Sequence, residues 1–321
     1  MLETLRRLPR IRLGHLPTPV EPLPRLGAQL GVQIWVKRDD LTGLGMGGNK
    51  VRKLEWLVAE ALAHGAKTLL TLGAVQSNHC RQTAAAAARI GLDCVLVLGG
   101  DSPAHATGNV LLDKLLGAEL IWAGTRNREE VLAETFDQLW SAGRRPHQIP
   151  YGGSSPVGAA AFANALAEFL DQGIEVDRIV HATSSGGTQA GLLAGAVVLG
   201  FRGEILGISV DRPASELAAT VHRLSGEILA LGGGTAHVSP DSVHVLDEYC
   251  RPGYAVVSDL ERGAIREFAR SEGLLLDPVY TGRAAGGLLD LVRSGRIERG
   301  ERILFWHTGG GPALFAHGDE L

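Results

Sequence analysis

The stretch "DDLTGLGMGGNKVRKLEW" (residues 39–56) sets four glycines ahead of a lysine that opens a helical pattern. Three chemistries ask for glycine at such a place: wrapping a dinucleotide, cradling a nucleotide phosphate, or clearing space beside one reactive lysine. Gly43-x-Gly45-x-x-Gly48 has the dinucleotide spacing, but that motif leaves a strand directly, and "RDDLT" intervenes here. The nucleotide phosphate loop needs Gly-Lys-Ser/Thr; Gly48-Asn49-Lys50-Val51 lacks the hydroxyl that would hold magnesium. The third chemistry fits Lys50, the one lysine of five at a glycine-to-helix junction. Partial desolvation there would lower its pKa, so that its amine can attack and move protons near neutrality.

The segments around it set the fold class. "QIWVKR" (33–38), "TLLTLG" (68–73), "DCVLVL" (93–98), "ELIWAG" (119–124), "RIVHAT" (178–183), "EILGISV" (204–210) and "RILFWHT" (302–308) read as buried strands. Amphipathic helices such as "KLEWLVAEALAHG" separate most of them, which predicts an α/β protein of mostly parallel sheets flanked by helices. The Gly/Pro/Ser-rich "HQIPYGGSSPVGAAA" (147–161) marks a lobe boundary. The expected division is a small domain at 46–155 and a large one from 1–45 and 156–321.

With 321 residues, 45% hydrophobic and 21% charged, the chain can bury two cores. A net charge of -4, with 26 arginines among 31 basic residues scattered through helical stretches, gives no footprint for nucleic acid. No apolar run reaches membrane-spanning or signal-peptide length, so the expected location is the cytoplasm. Cys80, Cys94 and Cys250 form no C-x-x-C pair; they read as reduced thiols, and no metal site is expected.

Four further turns lead into helical patterns or close a strand. "HATSSGGTQAG" places Ser184, Ser185, Gly186, Gly187 and Thr188 at a helix N-terminus, a cup for a phosphomonoester with no metal ligand nearby. "GAVQSNHC" presents Ser77, Asn78 and His79 at a strand's carboxyl end. Near the C-terminus, "DPVYTGR" supplies Tyr280 and Thr281, and "WHTGGG" supplies His307 and Thr308; His307 alone reads as packing.

"VKRDDLTGLGMGGNKVRKLE", "GAVQSNHCRQTAAAAA", "GGTQAG", "GLLLDPVYTGRAAGGL" and "HTGGGPALF" together resemble the fold-type II pyridoxal-phosphate enzymes, within them the D-cysteine desulfhydrase and 1-aminocyclopropane-1-carboxylate deaminase family. The resemblance implies two lobes with pyridoxal 5'-phosphate between them, a small amino acid as substrate, and a homodimer. It makes Lys50 the lysine that carries the cofactor, and Ser184 to Thr188 the holders of its phosphate. Asn49 and Asn78 become partners for the ring oxygen or the substrate carboxylate, Asn78 the better candidate for the ring. Ser77, Asn78 and His79 would line the substrate side, with Tyr254 of "RPGYAV" and Tyr280 as active-site tyrosines; Ala255 stands where relatives carry glycine. Lys50, Ser77, Tyr254 and Tyr280 are thus the catalytic candidates.

The deaminase branch of that family follows the tyrosine with glutamate and carries leucine at the position of Thr308. Thr281 and Thr308 stand there instead, and His79 replaces a glutamine. A neutral hydroxyl does not hold a proton on the ring nitrogen as a carboxylate does. The implied activity is α,β-elimination of D-cysteine to pyruvate, hydrogen sulfide and ammonia. L-cysteate sulfo-lyase, with Arg212, Arg251 or Arg283 on the sulfonate, is the alternative, ahead of cyclopropane opening. A non-catalytic binding protein or a nicotinamide oxidoreductase would be the reading of another class.

Overall fold

The computed structural model describes all 321 residues, which form two sheets. The six-stranded sheet runs in the order β1 (Val20–Pro22), β2 (Gln33–Arg38), β10 (Arg302–His307), β7 (Arg178–Thr183), β8 (Glu204–Ser209), β9 (His244–Leu246). The four-stranded sheet runs β5 (Glu119–Trp122), β4 (Asp93–Leu98), β3 (Thr68–Gly73), β6 (Pro146–Gln148). Every pairing is parallel except β1 with β2. The seven anticipated strands all form; β1, β6 and β9, three residues each, were not anticipated.

Helices cover both faces of each sheet, which is why the strands are apolar without alternation. Along β10, Ile303 and Phe305 pack into one core with Val36 and Leu288, while Leu304 and Trp306 pack into another with Phe162 and Leu192. In β4, Leu96 and Leu98 face a core shared with Val51 and Leu54, and Val95 and Val97 face Val131 and Leu139. Leu13 joins the Val51 core, so the N-terminal segment touches the four-stranded half as well.

A buried polar hub sets the Lys50–Ala63 helix against the six-stranded sheet. Arg52 donates to both oxygens of Asp39 at 2.8 and 2.9 Å and to Glu168, which also receives Lys37 at 2.7 Å. Trp306 Nε1 and Thr18 Oγ1 complete the carboxylate of Asp39. Charges removed from water this far persist only when each is paired, and here each is. No helix is long and apolar enough to cross a membrane, and no cluster of His, Cys, Asp or Glu is arranged to hold a metal.

Candidate active site

The carboxyl ends of β3, β7 and β10 open onto one cavity between the two sheets. Its wall brings together Asn49, Lys50, Ser77, Asn78, His79, Ser184, Ser185, Gly186, Thr188, Tyr254, Tyr280 and Thr308, from segments far apart in sequence. Two anticipated residues are not on the wall. Gly187 lies behind it, and Thr281 is fully buried with its hydroxyl engaged by Asp277, donating to Oδ1 at 2.7 Å and accepting from the Asp277 N–H at 2.8 Å. Asp277 also takes the N–H groups of Val279, Tyr280 and Thr281, so it shapes this turn; of Thr281 and Thr308, only Thr308 faces the cavity.

Lys50 begins its helix, and its Nζ donates to the carbonyl of Gly152 at 3.2 Å. Burial lowers its pKa to about 8. Lys53, one turn on along the same face, donates to the same carbonyl at 3.0 Å and to Ser154 Oγ at 3.0 Å. Burial first, then the neighbouring charge of Lys50, holds the Lys53 ammonium well below the ordinary lysine range. Asn49 ties this first turn across the cleft: its N–H donates to the Thr308 carbonyl at 2.9 Å and its Nδ2 to Thr188 Oγ1 at 3.1 Å.

The Gly187–Leu199 helix points its N-terminus at the cavity from Gly186, whose φ of 79° only glycine adopts readily. Ser185 Oγ bonds Ser154 Oγ at 2.8 Å, with Lys53 just behind. Ser184 differs from the rest of this loop. Its hydroxyl donates to Asp211 Oδ2 at 2.8 Å, so its hydrogen is turned away from an anion, and a carboxylate stands beside it. The end of the loop suited to a phosphate is therefore Ser185 to Thr188.

On the opposite wall Ser77 caps the Asn78–Ile90 helix, accepting from the Cys80 N–H at 3.1 Å. His79 Nε2 lies 2.9 Å from Thr71 Oγ1, and that hydroxyl donates to the Ile149 carbonyl, so Nε2 carries the hydrogen and Nδ1 is a bare, buried lone pair. Burial, then Lys50 and Lys53, keep this imidazole neutral by lowering its pKa well below the usual histidine value. Tyr254 and Tyr280 meet edge to face with their hydroxyls 2.9 Å apart, and burial raises the pKa of both. Ala255 takes φ 58°, a left-handed conformation that glycine adopts more readily than alanine.

The three arginines anticipated for a sulfonate do not line the cavity. Arg283 is saturated inside the protein by Glu261 and backbone carbonyls, Arg212 bonds Thr220, and Arg251 is exposed. The arginine in the adjoining cavity, which shares Ala74, Tyr151 and Tyr254 with the first, is Arg128. His307 donates through Nε2 to the Leu275 carbonyl and accepts the Gly309 N–H, a packing histidine. Cys80 is fully buried, and burial raises its pKa, so it packs rather than reacts. Sequence reasoning missed Lys53, Tyr151 and Asp211; only Lys53 carried a signal, the three-residue spacing from Lys50 in "NKVRK".

These residues fit a flat ring bearing a phosphomonoester. A side chain at Gly152 would stand 2.5 Å from Ser185 Oγ and 3.4 Å from Lys50 Nζ, and one at Gly187 would stand 2.6 Å from Lys53 Nζ, so both glycines keep the amine and the anion cup clear. Comparison with known proteins agrees. The family model described as pyridoxal-phosphate dependent enzyme matches residues 11–309. D-cysteine desulfhydrase of Salmonella typhi is 42% identical over 98% of both chains. A putative 1-aminocyclopropane-1-carboxylate deaminase of Pyrococcus abyssi is 41% identical over 99% of this chain and 96% of its own. The solved structure of an ACC deaminase homologue superposes with a TM-score of 0.92 at 40% identity, covering 99% of this chain and 97% of that one. With the matched region spanning both sheets and every wall of the cavity, the chain belongs to the pyridoxal-phosphate dependent enzyme family, in its fold-type II architecture.

Proposed function

We propose that this enzyme eliminates hydrogen sulfide from D-cysteine, with pyruvate and ammonia as the other products. The observation that carries the reading is the cavity wall itself: it holds a lysine amine, tyrosine hydroxyls and Thr308, but no carboxylate. Bound pyridoxal phosphate supplies the electron sink for the charge left at Cα. Without a carboxylate to keep the ring nitrogen protonated, that sink serves expulsion of a good leaving group better than opening of a cyclopropane.

The chain's own groups have distinct tasks. Lys50, whose ammonium loses its proton more readily because it is buried, takes the Cα proton at Nζ once neutral. Lys53 and the N-terminus of the Gly187–Leu199 helix, with Ser185 and Thr188, hold the phosphate. Ser77 and the first N–H groups of the Asn78–Ile90 helix take the substrate carboxylate, and Asn78 takes the ring oxygen. Tyr254 and Tyr280 hydrogen-bond the departing sulfur, and the released enamine hydrolyses to pyruvate and ammonia.

Three supports extend the reading. The sheet compositions favour a domain division at 1–45 with 156–321, against 46–155. Three unpaired cysteines suit a reducing, cytoplasmic setting. Exposed Leu111 and Leu115, on the helix that packs against Gly311–Leu314, and exposed Phe315 just beyond it offer an apolar face to a second copy.

The test is pyruvate release from D-cysteine, L-cysteine, L-cysteate and β-chloro-D-alanine, with sulfide and sulfite measured separately. D-cysteine yields sulfide, and Lys50→Ala abolishes both turnover and the visible absorption of bound cofactor. Sulfite from L-cysteate with no sulfide from D-cysteine would replace this reading with the sulfo-lyase one, for which Arg128 would be the cation to examine.

A further inference from the structure

Asn78 offers the cavity either two hydrogens or two lone pairs, and its partners decide which. Its Oδ1 accepts from Asn109 Nδ2 at 2.9 Å. Asn109 is fully buried on the Gly108–Leu115 helix and is not on the cavity wall. The same Nδ2 donates to the Gln76 backbone carbonyl at 2.9 Å. A peptide carbonyl only accepts, so the end of Asn109 turned this way is nitrogen. Its second hydrogen then goes to Asn78, which must answer with oxygen. The Nδ2 of Asn78 is the end left for the cavity.

A second peptide group holds the brace. The Asn109 N–H donates to Gln76 Oε1 at 2.7 Å, which commits the oxygen of Gln76 and sends its Nε2 to the Thr107 carbonyl at 3.2 Å. Peptide groups whose polarity cannot change thus orient three side-chain amides in succession. Asn109 Oδ1 has no partner, so nothing pulls that amide the other way.

We propose that Asn109, braced by Gln76, is the positioning residue that makes Asn78 a hydrogen-bond donor toward the oxygen on the cofactor ring. The proposal rests on Asn78 facing that oxygen. A donor to an oxygen bearing negative charge is worth more than one to a neutral oxygen, and a flipped Asn78 would set lone pairs against it.

Asn109→Asp keeps the shape and replaces the donor with an acceptor, so Asn78 turns its nitrogen toward residue 109 and its oxygen toward the ring. Asn109→Ala removes the steering without a buried charge and decides the matter if the aspartate variant does not fold by circular dichroism. Affinity is read by titrating apoprotein with pyridoxal phosphate and following the visible band. Asn109→Ala weakens binding about tenfold, the loss of one charge-assisted hydrogen bond, and Asn109→Asp weakens it further with a shifted band. In an Asn78→Ala background neither change costs more than about twofold, because the residue it steers is gone. Equal losses in that background, or wild-type affinity in both single variants, would show that Asn109 only supports the fold. An Asn78→Ala variant with unchanged affinity and band would instead remove the Asn78 assignment on which the proposal stands.

Discussion

Arg283→Met separates the structural tie of the Tyr254 segment from the chemistry beside it. The guanidinium is completely buried; it donates to Glu261 Oε1 at 2.6 Å and to the carbonyls of Val210 at 2.6 Å, Val256 at 3.0 Å and Cys250 at 3.3 Å. Methionine fills much of the volume but leaves the Glu261 carboxylate buried with only the Ser258 cap, whose N–H donates at 2.8 Å. Breaking one side of a buried ion pair costs about 3–5 kcal/mol, mostly because a charge is stranded. The carbonyls of 250 and 256 lose their donor too, so the segment bearing Tyr254 loosens while the phosphate loop does not. Urea unfolding of the apoprotein followed by circular dichroism should show a loss of about 4 kcal/mol, and Arg283→Met with Glu261→Gln should recover about half by removing the stranded charge. Turnover of D-cysteine falls, while affinity for pyridoxal phosphate changes little. A single variant within about 1 kcal/mol of wild type, or a double variant no more stable than the single, would refute the account.

Two pH experiments follow from buried charges. For Glu168, burial works to raise the pKa, but the bonds and charge of Arg52 and then Lys37 outweigh it and bring the carboxyl from 4.5 to about 2. A depressed folded pKa gives stability that is complete above about 4.5 and is lost as pH falls toward about 2, in all about 2–3 kcal/mol. Glu168→Gln should be less stable at neutrality and show a flatter acid limb across that window; an unchanged limb would mean the pair contributes nothing. For Lys50, only the neutral amine captures the cofactor, and burial lowers its pKa to about 8. The rate of pyridoxal phosphate uptake by apoprotein should therefore rise through a midpoint near 8, whereas a midpoint above 10 would place Lys50 in an ordinary aqueous setting.

The long strands were legible because burial on both faces makes each a short unbroken apolar run, as in "DCVLVL" and "RILFWH". The strands β1, β6 and β9 were not, since each is only three residues long, too short for an apolar run, and β1 and β6 carry Pro22 and Pro146. Most of the cavity wall was visible in the glycine-to-helix junctions, where the chain itself dictates what can face a ligand. The choice between Thr281 and Thr308 was hidden, because it depends on Asp277 taking the hydroxyl of one of them. Asn109 and Asp211 gave no sequence signal for the same reason: each matters through the side chain it contacts, Asn78 in one case and Ser184 in the other.

The ties at Asn49 and Arg52 give the enzyme a fixed half and an adjustable half. Lys50, the Gly187 helix and Thr308 are fastened to one another through the six-stranded sheet and its buried hub. Ser77, Asn78 and His79 hang from β3 in the other sheet. Substrate preference can therefore drift on either side of Asn78 while Gln76 and Asn78 keep the cofactor ring in place, and a library confined to Ala74, Val75, Ser77 and His79 is the economical place to redirect this catalyst.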